Sequence, residues 1–402
     1  MGQATRIRPA LRRGGTAPGP GNNLFTRTFL TVAVAELAYF TADGVLLPAL
    51  PRYVDGPLGA GNVAVGIVVG AFSLSAFFLR PWTGRLSDRH GRRIVMIGGA
   101  SLFALSVVGY LVATSVPVLV AMRLLTGVGD ALFFVAALSA NVDLAPEDRR
   151  GEAMSFASLS LYVGIGAGPF IGEALIAWGG FEAAWFASIA LAGAAVVLSL
   201  RLPAMRPESG EIAQQRHRLL HRAGVLPGVV LFATIWGMGG FLAFVPLYAL
   251  DLGMGGSSLV LGLFAGLVVL IRSVGATIPD RIGPGRAVRI SLVLTSLGLA
   301  VIGLWRTPAG LVVGTFVFGV GVALFTPALF TLAVSGISPT ERGAVMGTTS
   351  AFLDLAFGLG PATLGFVAAG VGRGGIFLAG SAVAALGLAL VAATRLGGRP
   401  RT

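Results

Sequence analysis

Gly84-Arg85-Leu86-Ser87-Asp88-Arg89-His90-Gly91-Arg92-Arg93 stands between two apolar runs, Val63–Trp82 and Ile94–Thr114. An α-helix needs roughly 20 apolar residues to cross the hydrocarbon core of a bilayer. Each run is about that long, so the polar decapeptide reads as a short loop joining two membrane spans. Gly84 and Gly91 permit a tight turn and close backbone approach. Working outward in both directions, ten further runs of this length appear. In the first half they are Thr28–Leu50, Val116–Ala140, Ala153–Trp178 and Phe181–Leu200. In the second half they are Val225–Leu250, Ser258–Ile278, Ala287–Trp305, Pro308–Ser335, Ala344–Gly370 and Gly374–Ala393.

Composition agrees with the spans. Of 402 residues 55% are hydrophobic and only 11% charged, well outside the range of soluble domains. A bilayer accommodates that much apolar surface; a globular core does not. With no cysteine, disulfides and thiolate metal sites are excluded. His90, His217 and His221 fall in expected loops and form no metal-ligand cluster. No nucleotide loop or nucleophile motif is present, so neither an enzyme nor a cofactor is expected. Residues 1–27 read as a disordered basic tail without a signal-peptide core. Residues 201–224 read as a linker between two six-helix halves, 28–200 and 225–394, and 395–402 as a second tail.

All of the basic residues are arginine, and their placement is one-sided. Arg85, Arg89, Arg92, Arg93, Arg149, Arg150, Arg201, Arg281, Arg286 and Arg342 share a face with those of both termini, while Arg52, Arg306 and Arg373 stand on the other. Short cytoplasmic loops retain positive charge. Both termini are therefore expected in the cytoplasm, in a multi-pass protein of the inner or plasma membrane. The same distribution explains the net charge of +12 without a nucleic-acid partner.

The loop also has a copy. Asp88-Arg89-His90-Gly91 recurs as Asp280-Arg281-Ile282-Gly283, Gly168-Pro169 as Gly360-Pro361, Arg150-Gly151 as Arg342-Gly343, and Arg80 as Arg272, each 192 positions on. One offset for four pairs indicates a duplicated six-helix unit, which places a binding site between the halves near mid-membrane. The fold expected is all-α, with twelve transmembrane helices in two pseudo-symmetric bundles.

Ionisable residues inside spans are costly and mark function. They are Glu36, Asp43, Arg80, Arg123, Asp130 and Glu173 in the first half, and Arg272 and Asp354 in the second. At about 1.5 Å rise per residue, Asp43 and Arg123 come to similar depths and are expected to pair. Glu36 and Asp130 also match in depth, and two carboxylates in a dry cavity do not both ionise easily, as a proton carrier requires. Protons are accordingly assigned to Glu36, Asp43 or Asp130, with Arg123 tuning them. Arg272 and Asp354 are expected to form a structural pair. Tyr39, Trp236, Phe241, Phe244 and Phe325 are candidate cavity residues; an aromatic wall opposite an acidic one suits an amphiphilic or cationic organic solute. In the loop, Asp88 faces the unpaired amides opening span eleven, and Arg92 reaches Asp143.

Residues 84–93 resemble the signature loop of the major facilitator superfamily, and the degraded copy at 280–283 sits where that family carries its second. Arg123, Gly127 and Gly129 resemble the motif of its proton-coupled members. Gly164, Gly168, Pro169 and Gly172 resemble its antiporter motif, with Glu173 where a second glycine often stands. The resemblance implies a drug or metabolite exporter working by proton antiport. It also implies that Gly84, Asp88, Arg89, Gly91, Arg92 and Asp143 form a latch that holds the outward-facing state and breaks when the cytoplasmic side opens. Small-molecule substrate, protons and lipid are the partners expected of a monomer. Uptake or facilitated diffusion through the same fold is the alternative. A non-transporting receptor gives no reason for buried charge.

Overall fold

The computed structural model describes residues 24–146, 149–205, 221–274, 281–338 and 341–394. Most of the two tails, most of the linker, and Asp280 lie outside the described residues. The helices are α1 (Arg27–Asp55), α2 (Gly61–His90), α3 (Arg92–Tyr110) and α4 (Val116–Leu144). The run Arg150–Leu200 breaks at Gly179 and Gly180 into α5 (150–178) and α6 (181–200). The second half has α7 (Arg222–Asp251), α8 (Ser258–Val274), α9 (Pro284–Leu304), α10 (Pro308–Val334), α11 (Arg342–Val371) and α12 (Arg373–Ala393). Apart from α8, described over 17 residues, the helices are long and apolar enough to cross a membrane, the α5–α6 run counting as one.

The decapeptide is not a loop. Helix α2 continues through His90, and the only sharp turn is at Gly91, whose φ of 92° lies in the left-handed region that favours glycine. Gly84 is helical with open space around it. The polar residues lengthen α2 past the apolar stretch instead of interrupting it, because nothing between Gly84 and His90 disfavours helix strongly enough to stop it.

Turn geometry repeats with the sequence. Left-handed glycines occur at Gly61 and Gly253, Gly91 and Gly283, and Gly180 and Gly372, each pair at the same 192-residue offset. The duplicated unit thus shares its turns as well as its residues.

Helices α1–α6 and α7–α12 form two bundles with largely separate cores. Tyr39 stacks on Phe133 at 4.0 Å in the first, and Phe241, Phe264 and Phe318 cluster in the second. The antiporter-type glycines serve the crossing of α1 on α5. A Cβ added at Gly164, Gly168 or Gly172 would come closer than 3.0 Å to the α1 backbone near Phe40, Gly44 and Val45. Call the end where α1 begins and α12 ends the terminal end. The bundles meet at the opposite, far end, where Gly66 and Gly70 of α2 lie against Pro361 and Gly358 of α11.

Candidate functional site at the bundle interface

The submerged charges are brought together in combinations that span depth alone did not give. Arg80 of α2 reaches Asp354 of α11, in the other bundle, at 3.1 Å, and Asp130 of α4 at 3.8 Å. Its guanidinium also lies 5.1 Å from the Phe134 ring centroid. One cation therefore joins two carboxylates across the interface. Asp354 does not pair with Arg272 as expected, because α11 packs on α2 and α7, whereas α8 packs on α10 and α5.

Neither of the other expected pairs makes a direct ion pair among the described residues. None of the described ion pairs joins Asp43 to Arg123. Arg123 is buried, lies 4.8 Å over Phe72, and directs Nε toward the Val68 carbonyl at 3.4 Å; its Nη1 is buried without a partner. Glu36 is not placed with Asp130. It is buried between α1 and α4, where Asn141 donates from Nδ2 to its Oε1 at 2.8 Å. The remaining Oε2 of Glu36 and Oδ1 of Asn141 are both buried and unpartnered. Two acceptors left this way are satisfied once the carboxyl carries a proton. Asn141, being uncharged, escaped a search for ionisable residues.

At the terminal end, Arg92 donates from Nε to Asp143 at 3.0 Å, from Nη1 to Ser87 at 3.2 Å, and to Asp88. All three acceptors belong to the first bundle. The Asp88 side chain is 43% exposed, and its ion pair is to Arg92 rather than to the opening turn of α11. Gly91 makes the turn, and Arg89 stands in the last turn of α2 before it. The cluster holds α2, α3 and α4 together while the bundles are joined at the far end.

That far end is fastened by Glu173, expected as part of the antiporter-type motif, and by Arg373, to which no role was assigned. Glu173 of α5 accepts from Ser257 N at 2.5 Å, Ser257 Oγ at 2.8 Å and Ser258 N at 2.9 Å. A carboxylate from one bundle thereby caps the first turn of α8 in the other, where orphan amides and the helix dipole favour negative charge. Arg373, at the start of α12, pairs with Asp55 at 2.7 Å and Asp251 at 2.8 Å and donates to Asn62 Oδ1 at 2.9 Å. Its signal in the sequence was its position, one of few cations on its side of the membrane.

The expected aromatic wall is a packing element. Tyr39, Phe241, Phe244 and Phe325 are fully buried in the bundle cores, where large rings fill the space between helices more effectively than they would line a gap. Trp236 is partly buried and donates from Nε1 to Thr363 of α11 at 3.0 Å. A cavity of about 540 Å³, partly open, lies toward the terminal end between α5, α8 and α10. Among the described residues no carboxylate lines it; Arg272 does.

The sequence profile described as Major Facilitator Superfamily matches residues 32–361. An uncharacterized MFS-type transporter of Salmonella typhimurium is 27% identical over 376 residues, covering 90% of this chain and 95% of its own. Among solved structures, the nucleoside transporter NupG superposes with a TM-score of 0.76 at 16% identity, covering 93% of this chain and all of its own. The human organic anion transporter MFSD10 gives 0.68 at 21%, covering 91% and 99%. Doubled bundle, repeated turns and profile agree: the chain belongs to the Major Facilitator Superfamily of membrane transporters.

Proposed function

We propose that this transporter exchanges protons for a small amphiphilic organic compound and exports it by alternating access. The arginine distribution supports an orientation with the terminal end and both termini in the cytoplasm, in the inner or plasma membrane. On that orientation the cavity between α5, α8 and α10 faces inward, and the fastened far end is the closed outer gate. The two bundles, 28–200 and 225–394, move as bodies about the interface, and 201–224 links them.

The observation that carries proton coupling is Arg80 held between Asp130 and Asp354. Breaking one partner of a buried ionic group is costly unless its charge is removed first. A proton on Asp354 removes the cross-bundle attraction and lets α11 leave α2; loss of the proton restores it. Glu36, paired with Asn141, and Asp43 are further proton-holding positions, with Arg123 the cation that sets their local potential. The Asp88–Arg92–Asp143 cluster keeps the inner ends of α2, α3 and α4 aligned through the cycle, with Asp88 free to meet the opening turn of α11 when the inner side closes.

The relatives leave the cargo open, since NupG and MFSD10 share with this chain the fold alone. The test is a proteoliposome assay with a trapped pH indicator and an imposed gradient, screened with small organic compounds of either charge. Proton efflux or influx should follow compound movement in the wild type. Asp354→Asn should uncouple it, leaving compound flux independent of the gradient. Unchanged coupling in both Asp354→Asn and Asp130→Asn would remove the proposal.

A further inference from the structure

The repeat makes Arg80 and Arg272 equivalent, and their surroundings can be compared position by position. Around Arg80 stand Asp130, Phe134 and Asp354. The residues at the same offset in the other half are Val322, Thr326 and Tyr162. Arg272 does cross to the opposite bundle as Arg80 does: its guanidinium lies over the Tyr162 ring at 4.6 Å from the centroid. Where Arg80 meets the Asp354 carboxylate, Arg272 thus meets a neutral phenol, and where Asp130 stands there is a buried valine. Both acids are missing from the second copy, and the 540 Å³ cavity opens beside it.

Among the described residues Arg272 is consequently the only charged side chain lining that cavity, and none of them gives its buried Nε a hydrogen-bond partner. Ser155, Ser158, Ser273 and Thr326 supply hydroxyls around it, and the remaining wall is apolar. An unpaired guanidinium beside low-dielectric walls is costly, and its planar fork matches a carboxylate, sulfonate or phosphate. We propose that this cavity is the binding site of an organic anion with an apolar body, whose acidic group takes at Arg272 the place that Asp354 takes at Arg80. The inference rests on the reading of the chain as a transporter and specifies the charge of its cargo.

The test uses the full chain in lipid nanodiscs, without a gradient, and a matched pair of probes: naphthalene-2-sulfonate and 2-naphthylmethylammonium. The sulfonate should bind the wild type and the ammonium at least 10-fold more weakly. Arg272→Gln should weaken sulfonate binding by about 10- to 100-fold, the range for a hydrogen-bonded charge; Arg272→Lys should retain part of it. Tyr162→Asp restores the missing acid, pairs Arg272 internally, and should abolish sulfonate binding in a protein whose arginine is intact. Equal or tighter binding of the ammonium to the wild type overturns the proposal. So does sulfonate binding unchanged in Arg272→Gln and Tyr162→Asp proteins that keep the wild-type melting temperature. Binding as expected but no gradient-driven sulfonate flux in proteoliposomes sinks proton antiport and leaves the site. Gradient-driven flux of the ammonium, unaffected by either variant, does the reverse.

Discussion

Substituting Gly66 and Gly365 by alanine should push the transporter out of the conformation described here. Gly66 of α2 lies against Pro361 of α11, and Gly365 of α11 against Asn62 of α2. A Cβ at Gly365 would stand 2.7 Å from the Asn62 carbonyl oxygen, and one at Gly66 would stand closer still to the Pro361 carbonyl. Both neighbours are backbone, which cannot swing aside as a side-chain tip can. The helices must therefore part by roughly 1 Å, and overpacking of this kind costs about 1–3 kcal/mol per site. The cost falls only on the state in which the far ends touch, so the equilibrium should move toward far-end opening by about 5- to 150-fold for each substitution. The chain contains no cysteine, so spin labels introduced at one exposed far-end position in each bundle report without background. Double electron–electron resonance should show the longer-distance population growing in Gly66→Ala and growing further in the double variant. A distance distribution identical to that of the parent, in protein that remains folded and monodisperse, would refute the argument that these glycines exist to let α2 and α11 touch.

Two other outcomes follow from the far-end contacts and from the core of the first bundle. Arg373→Gln removes the cation that Asp55, Asp251 and Asn62 share; the far-end population should shift toward opening several-fold, and hydrogen exchange should rise at the start of α12. Tyr39→Phe should change stability by less than about 1 kcal/mol, because the hydroxyl is buried without a partner, whereas Tyr39→Ala should cost about 3–5 kcal/mol by emptying the stack on Phe133. Denaturant unfolding in detergent measures both. A loss of compound binding in Tyr39→Phe without loss of stability would return Tyr39 to the cavity wall.

Much of the architecture was legible before any coordinates, because a bilayer imposes a length on every span and penalises each charge left inside it. Twelve apolar runs and the short list of submerged ionisable residues follow from that penalty, and the 192-residue repeat is read from matching residues. The extent of α2 was misread because a polar run signals the end of the apolar layer, not the end of the helix; only Gly91, with its left-handed backbone, stops it. Partners were misread for a related reason. Depth along a span is one-dimensional, and helices that reach the same depth need not be neighbours. Arg272 and Asp354 sit on helices that pack on different neighbours, and Asp43 and Arg123 sit on helices that touch yet form no direct ion pair among the described residues, while Arg80 and Asp354 meet because α2 packs on α11. Which carboxylate an arginine finds, which aromatic rings are core, and which arginine is left facing a cavity depend on rotation about each helix axis and on the order of the bundle. Those are properties of the packed chain, fixed by contacts between residues hundreds of positions apart.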